Sequence, residues 1–192
     1  MPGNIWTRWF SSKAISAACT AWTDNWQRRT NSSTGVGEAL SSTATCATTA
    51  RRSTQGIFYD RPDVLTVSLH AHPERFYPFF WGYPEERGHA AGQGSNLNLT
   101  MARGTGDAGF QRHLDTALQT ITDWQADTLV LALGLDAFVG DPFAGLAVTT
   151  QGFVRIGRSI HSLNLPSLIV QEGGYLCPEL GDNLAAVLQA WT

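Results

Sequence analysis

Two segments in the second half of the sequence carry side chains suited to binding a cation or stabilising a negative charge. Asp136 directly follows an apolar run and is flanked by glycines, which suits a carboxylate that binds a cation. Tyr175 follows Gly173 and Gly174, and glycines let the backbone approach a ligand while the tyrosine hydroxyl faces a developing oxyanion. Simpler interpretations exist, because Asp136 could cap a turn and the glycines could only serve a turn that needs positive φ.

A pair of histidines, His70 and His72, follows the apolar run at residues 64–69. With one residue between them, both imidazoles could reach a common ion from an extended chain, or both could be exposed loop side chains. Asp141, which precedes Pro142, is typical of a turn. These residues alone leave a metal site and ordinary loops as open alternatives.

Three apolar runs must position these side chains. Residues 64–69, 128–134 and 167–172 are rich in β-branched and other apolar residues, which predicts strands buried on both faces, as in a parallel sheet. In such sheets ligands bind outside the carboxyl ends of the strands, where the candidate residues lie. The Gly- and aromatic-rich segment 70–106 is predicted as one long loop, a kind of segment that is usually functional.

Apolar residues recur at three- and four-residue spacing in three further segments, which predicts amphipathic helices. The first follows Asp107, the second begins at Thr149 or Thr150, and the third runs from Pro178 to Trp191. The side chains of the third helix that are expected to face inward are Leu184, Val187, Leu188 and Trp191. Strands that alternate with helices predict an α/β domain with right-handed crossovers.

Composition limits the possible classes of protein. With 192 residues, of which 43% are hydrophobic and 15% charged, the chain suits one globular domain. It has no apolar stretch long enough for a membrane helix, and a net charge of −3 does not favour nucleic acid or an anionic membrane as partners. Three widely spaced cysteines form no disulfide framework, so we expect a cytoplasmic protein. The long loop could also form an interface in a homo-oligomer.

The two parts of the chain differ in composition. Residues 1–56 contain six Lys and Arg against two Asp and Glu, whereas residues 57–192 contain seven against fourteen. The first part is also rich in Ser and Thr and has no helical or strand periodicity. We therefore expect residues 1–53 to be a disordered leader or a non-native segment, and residues 54–192 to form the folded domain.

Four motifs of residues 54–192 resemble the C-terminal half of the histone deacetylase and acetylpolyamine amidohydrolase family. In order, they are GIFYDRPDVLTVSLHAHPE, the GYPEERG loop, LALGLDAFVGDP and QEGGY. The bacterial polyamine branch fits best. The resemblance implies a three-layer α/β/α fold, as in arginase and the deacetylases. It also implies a zinc-dependent amidohydrolase, in which metal-activated water removes acetyl groups from lysine or from polyamines.

The resemblance also implies roles for individual residues. Asp136 matches the last zinc ligand, and Tyr175 matches the tyrosine that polarises the substrate carbonyl. Ser68 and Leu69 match residues that hold a monovalent cation, through a hydroxyl and a backbone carbonyl. Phe80 matches a wall of the substrate channel, to which Gly173 and Gly174 also belong, whereas His70 and His72 match no zinc ligand. The expected substrate is a small acylated amine or an acetyl-lysine.

The rest of the family's site should lie upstream, where this sequence departs from it. Family members carry Asp-x-His-His-Gly-Asn-Gly-Thr-Gln, of which Thr54 and Gln55 match only the end. Aligned without gaps, the ligand Asp falls on Ala47 and the ligand His on Thr49, and no His precedes His70 to provide the general-base pair. Catalytic zinc needs three protein ligands, so the sequence predicts no deacetylase activity. A non-catalytic binding module and a truncated gene product without a stable fold are the alternatives.

A shift of reading frame would explain both the change of composition near residue 56 and the absence of the family's upstream site residues. Residues 48–50 are Thr-Thr-Ala, and their codons begin with AC, AC and GC. Read one nucleotide earlier, these codons can become CAC, CAC and GGC, which encode His-His-Gly. We therefore hypothesise that residues 1 to about 53 are an out-of-frame translation of a family gene. Translation of the coding DNA in three frames tests this, because no frame would yield Asp-x-His-His-Gly if the hypothesis were wrong.

Overall fold

The structure is a computed structural model that describes residues 43–47, 51–76, 79–143 and 145–192. The expectation that residues 1–53 are disordered or out of frame therefore concerns mainly residues outside the described part of the chain. In the described part, no helix is long and apolar enough to cross a membrane.

A parallel sheet forms the centre of the fold. Five strands pair in the order β3-β2-β1-β4-β5, and every pair is parallel, which confirms the predicted α/β class. The strands are β1 (Thr43–Ala47), β2 (Val64–Ala71), β3 (Asn96–Met101), β4 (Thr128–Leu133) and β5 (Ser167–Gln171). Three of them are the strands predicted from the apolar runs.

Within the described ranges four α-helices accompany the sheet, and the three predicted helices are confirmed. They are α1 (Arg51–Phe58), α2 (Asp107–Asp123), α3 (Thr150–His161) and α4 (Leu180–Leu188), with a 3-10 turn at Gln189–Trp191 after α4. The Thr149 hydroxyl accepts a hydrogen bond from the Gly152 N–H and caps α3. The last helix begins two residues after Pro178, and Leu188, expected to face inward, is exposed.

One carboxylate joins the starts of α2 and α3. Asp107 accepts hydrogen bonds from the Thr149 N–H at 2.8 Å and the Thr149 hydroxyl at 2.7 Å. It also forms an ion pair with Arg155 at 2.6 Å. The loop that follows β4 is therefore fixed at its far end, where it enters α3.

Two predictions about regular structure were wrong. Residues 43–47, expected to lack regular structure, form β1 in the middle of the sheet. Segment 70–106, expected to be one loop, contains the end of β2, two 3-10 turns and all of β3. The buried side chain of Asn98 stabilises β3, because its amide donates to the carbonyl oxygen of Tyr83 at 3.0 Å and to the side-chain oxygen of Gln55 at 3.1 Å.

The core covers the inner strands but not the whole sheet. Leu65 and Leu69 of β2 and Leu129 and Leu131 of β4 are almost fully buried among residues of α2 and α3. In contrast, β5 was predicted to be buried on both faces, and its residues are half-buried or exposed, with Leu168 at 50% exposure. Among the described strands β5 lies at the edge of the sheet, which explains the difference.

Candidate functional site

The loops that follow β4 and β5 form one hydrogen-bonded unit. The two strands are neighbours and pair up to Leu133 and Gln171, so both end at the same edge of the sheet. Beyond them, the Leu135 N–H donates to the Gly173 carbonyl oxygen at 2.9 Å. The loop that carries Asp136 and the turn that carries Tyr175 are therefore directly connected.

The turn before Tyr175 requires glycine at one position. Gly174 has a φ of +124°, a value that L-residues rarely adopt. A Cβ at this position would lie 2.9 Å from Leu135 Cβ and 2.9 Å from Leu180 Cδ1. The turn therefore packs closely against the residue before Asp136 and against the start of α4.

Asp136 is half-buried and faces a small cavity. The other residues that line it include Leu69 and His70 of β2, together with Phe76. Burial raises the pKa of Glu172 above its ordinary value of 4.5, and the negative charge of the nearby Asp136 raises it further. The ends of three strands thus contribute to the surroundings of Asp136.

Replacing Glu172 with Gln is expected to stabilise the fold in a pH-dependent way. Because the pKa of Glu172 is higher in the folded chain, its ionised form destabilises the fold above that pKa, and the penalty vanishes below the unfolded value. Glu172→Gln should therefore raise Tm at pH 7.5, and the gain should shrink as the pH falls towards 4. Thermal unfolding followed by circular dichroism measures this. The exposed Glu85→Gln is the matched control, and an equal gain at both pH values would contradict the prediction.

The two histidines behave differently from each other. His70 is 1% exposed, so it is not an exposed loop histidine, and its Nε2 lies 2.8 Å from the Gly82 carbonyl oxygen. Since a carbonyl oxygen only accepts, Nε2 carries the proton, and in the neutral ring Nδ1 accepts from the Ser68 hydroxyl at 2.9 Å. His72 instead accepts from the Glu74 N–H through its ring. The structure therefore supports no shared ion between these two histidines.

Ser68 and Leu69, the candidate monovalent-cation ligands, lie inside β2 and are buried. The Ser68 hydroxyl lies 2.9 Å from His70 Nδ1, and when the His70 ring is neutral with its proton on Nε2 this hydroxyl is the donor. Phe80, the candidate channel residue, is 75% exposed and belongs to the loop between β2 and β3.

Tyr175 lies at the surface of the unit, with 45% of the residue exposed. Its ring packs edge-on against Phe143, with 4.6 Å between centroids and 61° between planes. Its N–H donates to Asp141 Oδ2 at 2.8 Å. Sequence reasoning missed Phe143 and gave Asp141 only a role in a turn. No sequence signal pointed to Phe143 beyond its place two residues after Asp141.

Ala47 is the residue on which the resemblance, continued upstream without gaps, places the acidic zinc ligand. It is the last residue of β1 and pairs with Ser68 of β2 and Ala132 of β4. Thr49, the counterpart of the ligand His, lies outside the described residues. Where the structure describes side chains, no group of three or more His, Cys, Asp or Glu residues is arranged to hold a metal ion.

Known proteins resemble this chain in sequence. Residues 53–191 match the Histone deacetylase domain family. An acetylpolyamine amidohydrolase of Burkholderia pseudomallei is 47% identical over 129 residues, which cover 67% of this chain and 38% of the relative. Acetylpolyamine amidohydrolase 2 of Pseudomonas aeruginosa is 41% identical over 138 residues, covering 72% of this chain and 40% of the relative.

Solved structures of related proteins resemble this chain in fold. The crystal structure of an acetylpolyamine aminohydrolase from Burkholderia pseudomallei has a TM-score of 0.76 and 41% identity, and the match covers 79% of this chain and 45% of that one. A histone deacetylase homologue from Aquifex aeolicus has a TM-score of 0.68 at 25% identity, with 80% and 40% covered. The chain thus spans about two fifths of the length of the curated relatives named above.

Proposed function

This chain belongs to the histone deacetylase family, and from this membership we propose that residues 54–192 form part of a binding pocket for a small N-acylated amine. The observation that carries the proposal is the hydrogen bond from Leu135 to Gly173, which joins the loop of Asp136 to the turn of Tyr175. We further propose that this chain lacks the ligand set that hydrolysis requires.

The chemistry of the exposed side chains supports an acylated amine as ligand. The Tyr175 hydroxyl can donate a hydrogen bond to an acyl carbonyl oxygen. The ring of Phe143, which contacts the Tyr175 ring, offers an apolar wall to a methylene chain. Residues 57–192 contain fourteen Asp and Glu against seven Lys and Arg, a charge that favours a cationic amine. Relatives named as acetylpolyamine amidohydrolases agree with that choice.

The residues present do not fit a catalytic zinc ion. The family's ligand set assigns one position to Asp136, and alignment places the other two on Ala47 and Thr49. Neither an alanine methyl group nor a neutral threonine hydroxyl replaces a carboxylate or an imidazole, and catalytic zinc requires three protein ligands. We therefore propose binding without hydrolysis for this chain.

The hypothesis that residues 1 to about 53 are translated out of frame predicts that a functional side chain has been lost at the end of β1. Ala47 is the last residue of a strand between β2 and β4, which is the place at a sheet edge where a functional side chain is expected. Ala47 pairs directly with the candidate residue Ser68 of β2, and β4 leads to the candidate residue Asp136. Three-frame translation of the coding DNA remains the test.

The proposed function predicts three results for the purified chain. Zinc should be present at less than about 0.1 equivalent per chain, because one carboxylate holds it weakly. N-acetylputrescine should bind with a Kd of about 1 mM, corresponding to roughly −4 kcal/mol for a partial pocket. Neither this amine nor an acetyl-lysine amide should be hydrolysed. Elemental analysis, NMR titration and an acetate-release assay measure the three quantities.

Tyr175→Phe is the matched variant, since it removes the hydroxyl and keeps the ring. It should weaken N-acetylputrescine binding about tenfold, the value of one hydrogen bond of about 1.4 kcal/mol. Stoichiometric zinc, acetate release, or equal affinity in the variant would each contradict the proposal. A cooperative thermal transition excludes the alternative of a chain without a stable fold.

A further inference from the structure

We infer that Asp141 is a positioning residue that holds Tyr175 and Phe143 in one arrangement, and this inference rests on the proposed acyl-amine pocket for its functional meaning. The carboxylate lies between the loop after β4 and the turn after β5. It binds the main chain of both aromatic residues. The orientation of the phenol therefore depends on a residue that does not itself face the pocket.

The hydrogen bonds of Asp141 are the first support. The residue is 6% exposed, and each carboxylate oxygen accepts one backbone N–H. Oδ1 accepts from Phe143 at 2.8 Å, and Oδ2 accepts from Tyr175 at 2.8 Å. Bonds between a carboxylate and N–H groups are short and about twice as strong as neutral ones, so a buried carboxylate fixes both donors firmly.

A turn-forming role explains only half of this arrangement. Aspartate commonly binds the N–H two residues ahead, which accounts for the bond to Phe143. The bond to Tyr175 crosses 34 positions of sequence and joins two different loops. An ordinary turn has no need of it, so the second oxygen has a separate role.

The effect on the Tyr175 ring follows from the geometry of the turn. Gly173 and Gly174 have wide conformational freedom, so the residue after them needs its own anchor. The Gly173 carbonyl is held by Leu135, and the Tyr175 N–H is held by Asp141. Because Phe143 is bound to the same carboxylate, the two rings are kept in their 4.6 Å contact.

The experiment uses the complete chain labelled with ¹⁵N and ¹³C. In the wild type, a through-hydrogen-bond scalar coupling should connect the Tyr175 nitrogen with Asp141 Cγ. In Asp141→Asn, one oxygen becomes an NH₂ group that cannot accept, so at least one of the Tyr175 and Phe143 amides should exchange with solvent about tenfold faster or more. The cross-peaks between the two rings should also weaken. Asp182→Asn, an exposed position on α4, is the matched control and should change neither.

Binding of N-acetylputrescine separates this inference from the proposed function. Asp141→Asn should weaken binding about fivefold to tenfold although it leaves the Tyr175 hydroxyl in place. If the wild type binds no N-acetylputrescine but the amide and ring effects occur, the proposed function fails and the positioning role stands. If both amides of the variant remain as protected as in the wild type, or if the wild type lacks the coupling, the inference is overturned. A variant that fails to fold leaves the wild-type coupling as the deciding result.

Discussion

Introducing the two missing zinc ligands, as Ala47→Asp with Thr49→His, is expected to raise the affinity of the chain for Zn²⁺ at least about 100-fold. The free energy of zinc binding at structural sites with four ligands is about 10–16 kcal/mol, or roughly 3 kcal/mol per ligand. Two added ligands should therefore raise the affinity more than about 100-fold even in imperfect geometry. Ala47 ends β1 and pairs with Ser68 and Ala132. Because β1 pairs with β4, a carboxylate at residue 47 would lie on the strand next to the one that leads to Asp136, and adjacent strands are about 4.8 Å apart.

Competition with a chromogenic chelator measures this affinity. Two controls decide how the result is interpreted. Ala47→Asn with Thr49→Gln has similar side-chain volumes without the carboxylate and imidazole ligands, and it should stay near the wild type. Adding Asp136→Asn to the double variant should remove most of the gain. If the triple variant binds zinc as tightly as the double variant, Asp136 is not part of the site and its assignment is wrong.

Gly174→Ala is expected to destabilise the fold by about 3 kcal/mol, as the sum of two costs. An L-residue at positive φ costs about 1–2 kcal/mol, and forcing a methyl group into packed surroundings costs about 1–3 kcal/mol. Both apply here, since Gly174 has a φ of +124° and its Cβ would lie 2.9 Å from Leu135 Cβ. The displaced turn should also break the bond between the Tyr175 N–H and Asp141.

Gly94→Ala is the matched control for this prediction. Gly94 has a φ of +93°, and nothing lies within 4 Å of its ideal Cβ, so only the conformational cost of about 1 kcal/mol applies. Thermal unfolding should show a decrease in Tm of about 6–12 °C for Gly174→Ala and about 2–4 °C for Gly94→Ala. Equal decreases would mean that the contact with Leu135 does not hold the turn.

The sequence predicted the elements whose patterns are local. Continuous apolar runs identified β2, β4 and β5, because strands of a parallel sheet are covered by helices on their faces. Helical spacing identified α2 and α3, and the predicted start of α3 at Thr149 or Thr150 is confirmed, with Thr149 as the cap and Thr150 as the first helical residue. The pattern did not predict that β5 lies at the edge of the described sheet, because the order of strands depends on contacts between residues that are distant in sequence.

The two missed strands show why residue type alone is a weak guide. β3 has the sequence NLNLTM, and asparagine favours turns over strands when no partner holds its side chain. Here Asn96 donates to the Glu86 carbonyl oxygen at 2.6 Å and Asn98 to that of Tyr83 at 3.0 Å. β1, with the sequence TATCA, gave no clear periodicity, and its position depends on β2 and β4 on either side.

The candidate site was predicted in outline and not in detail. Loops at the carboxyl ends of neighbouring strands were expected to meet, and the loops of Asp136 and Tyr175 do meet. The role of Asp141 was not foreseen beyond a turn, because its bond to the Tyr175 N–H joins loops from two strands. Similarly, the burial of His70 was not predicted, and one of its hydrogen-bond partners, Gly82, lies twelve positions away in sequence.

The exposed strand β5 has a practical consequence for handling the protein. Its sequence SLIVQ leaves Leu168 half in solvent at one margin of the described sheet. Backbone groups along such a margin can pair with an identical segment of a neighbouring molecule, and charged residues that would discourage this are absent from these five positions. We therefore expect self-association to increase with protein concentration, and Leu168→Lys is the first substitution to try for improving solubility.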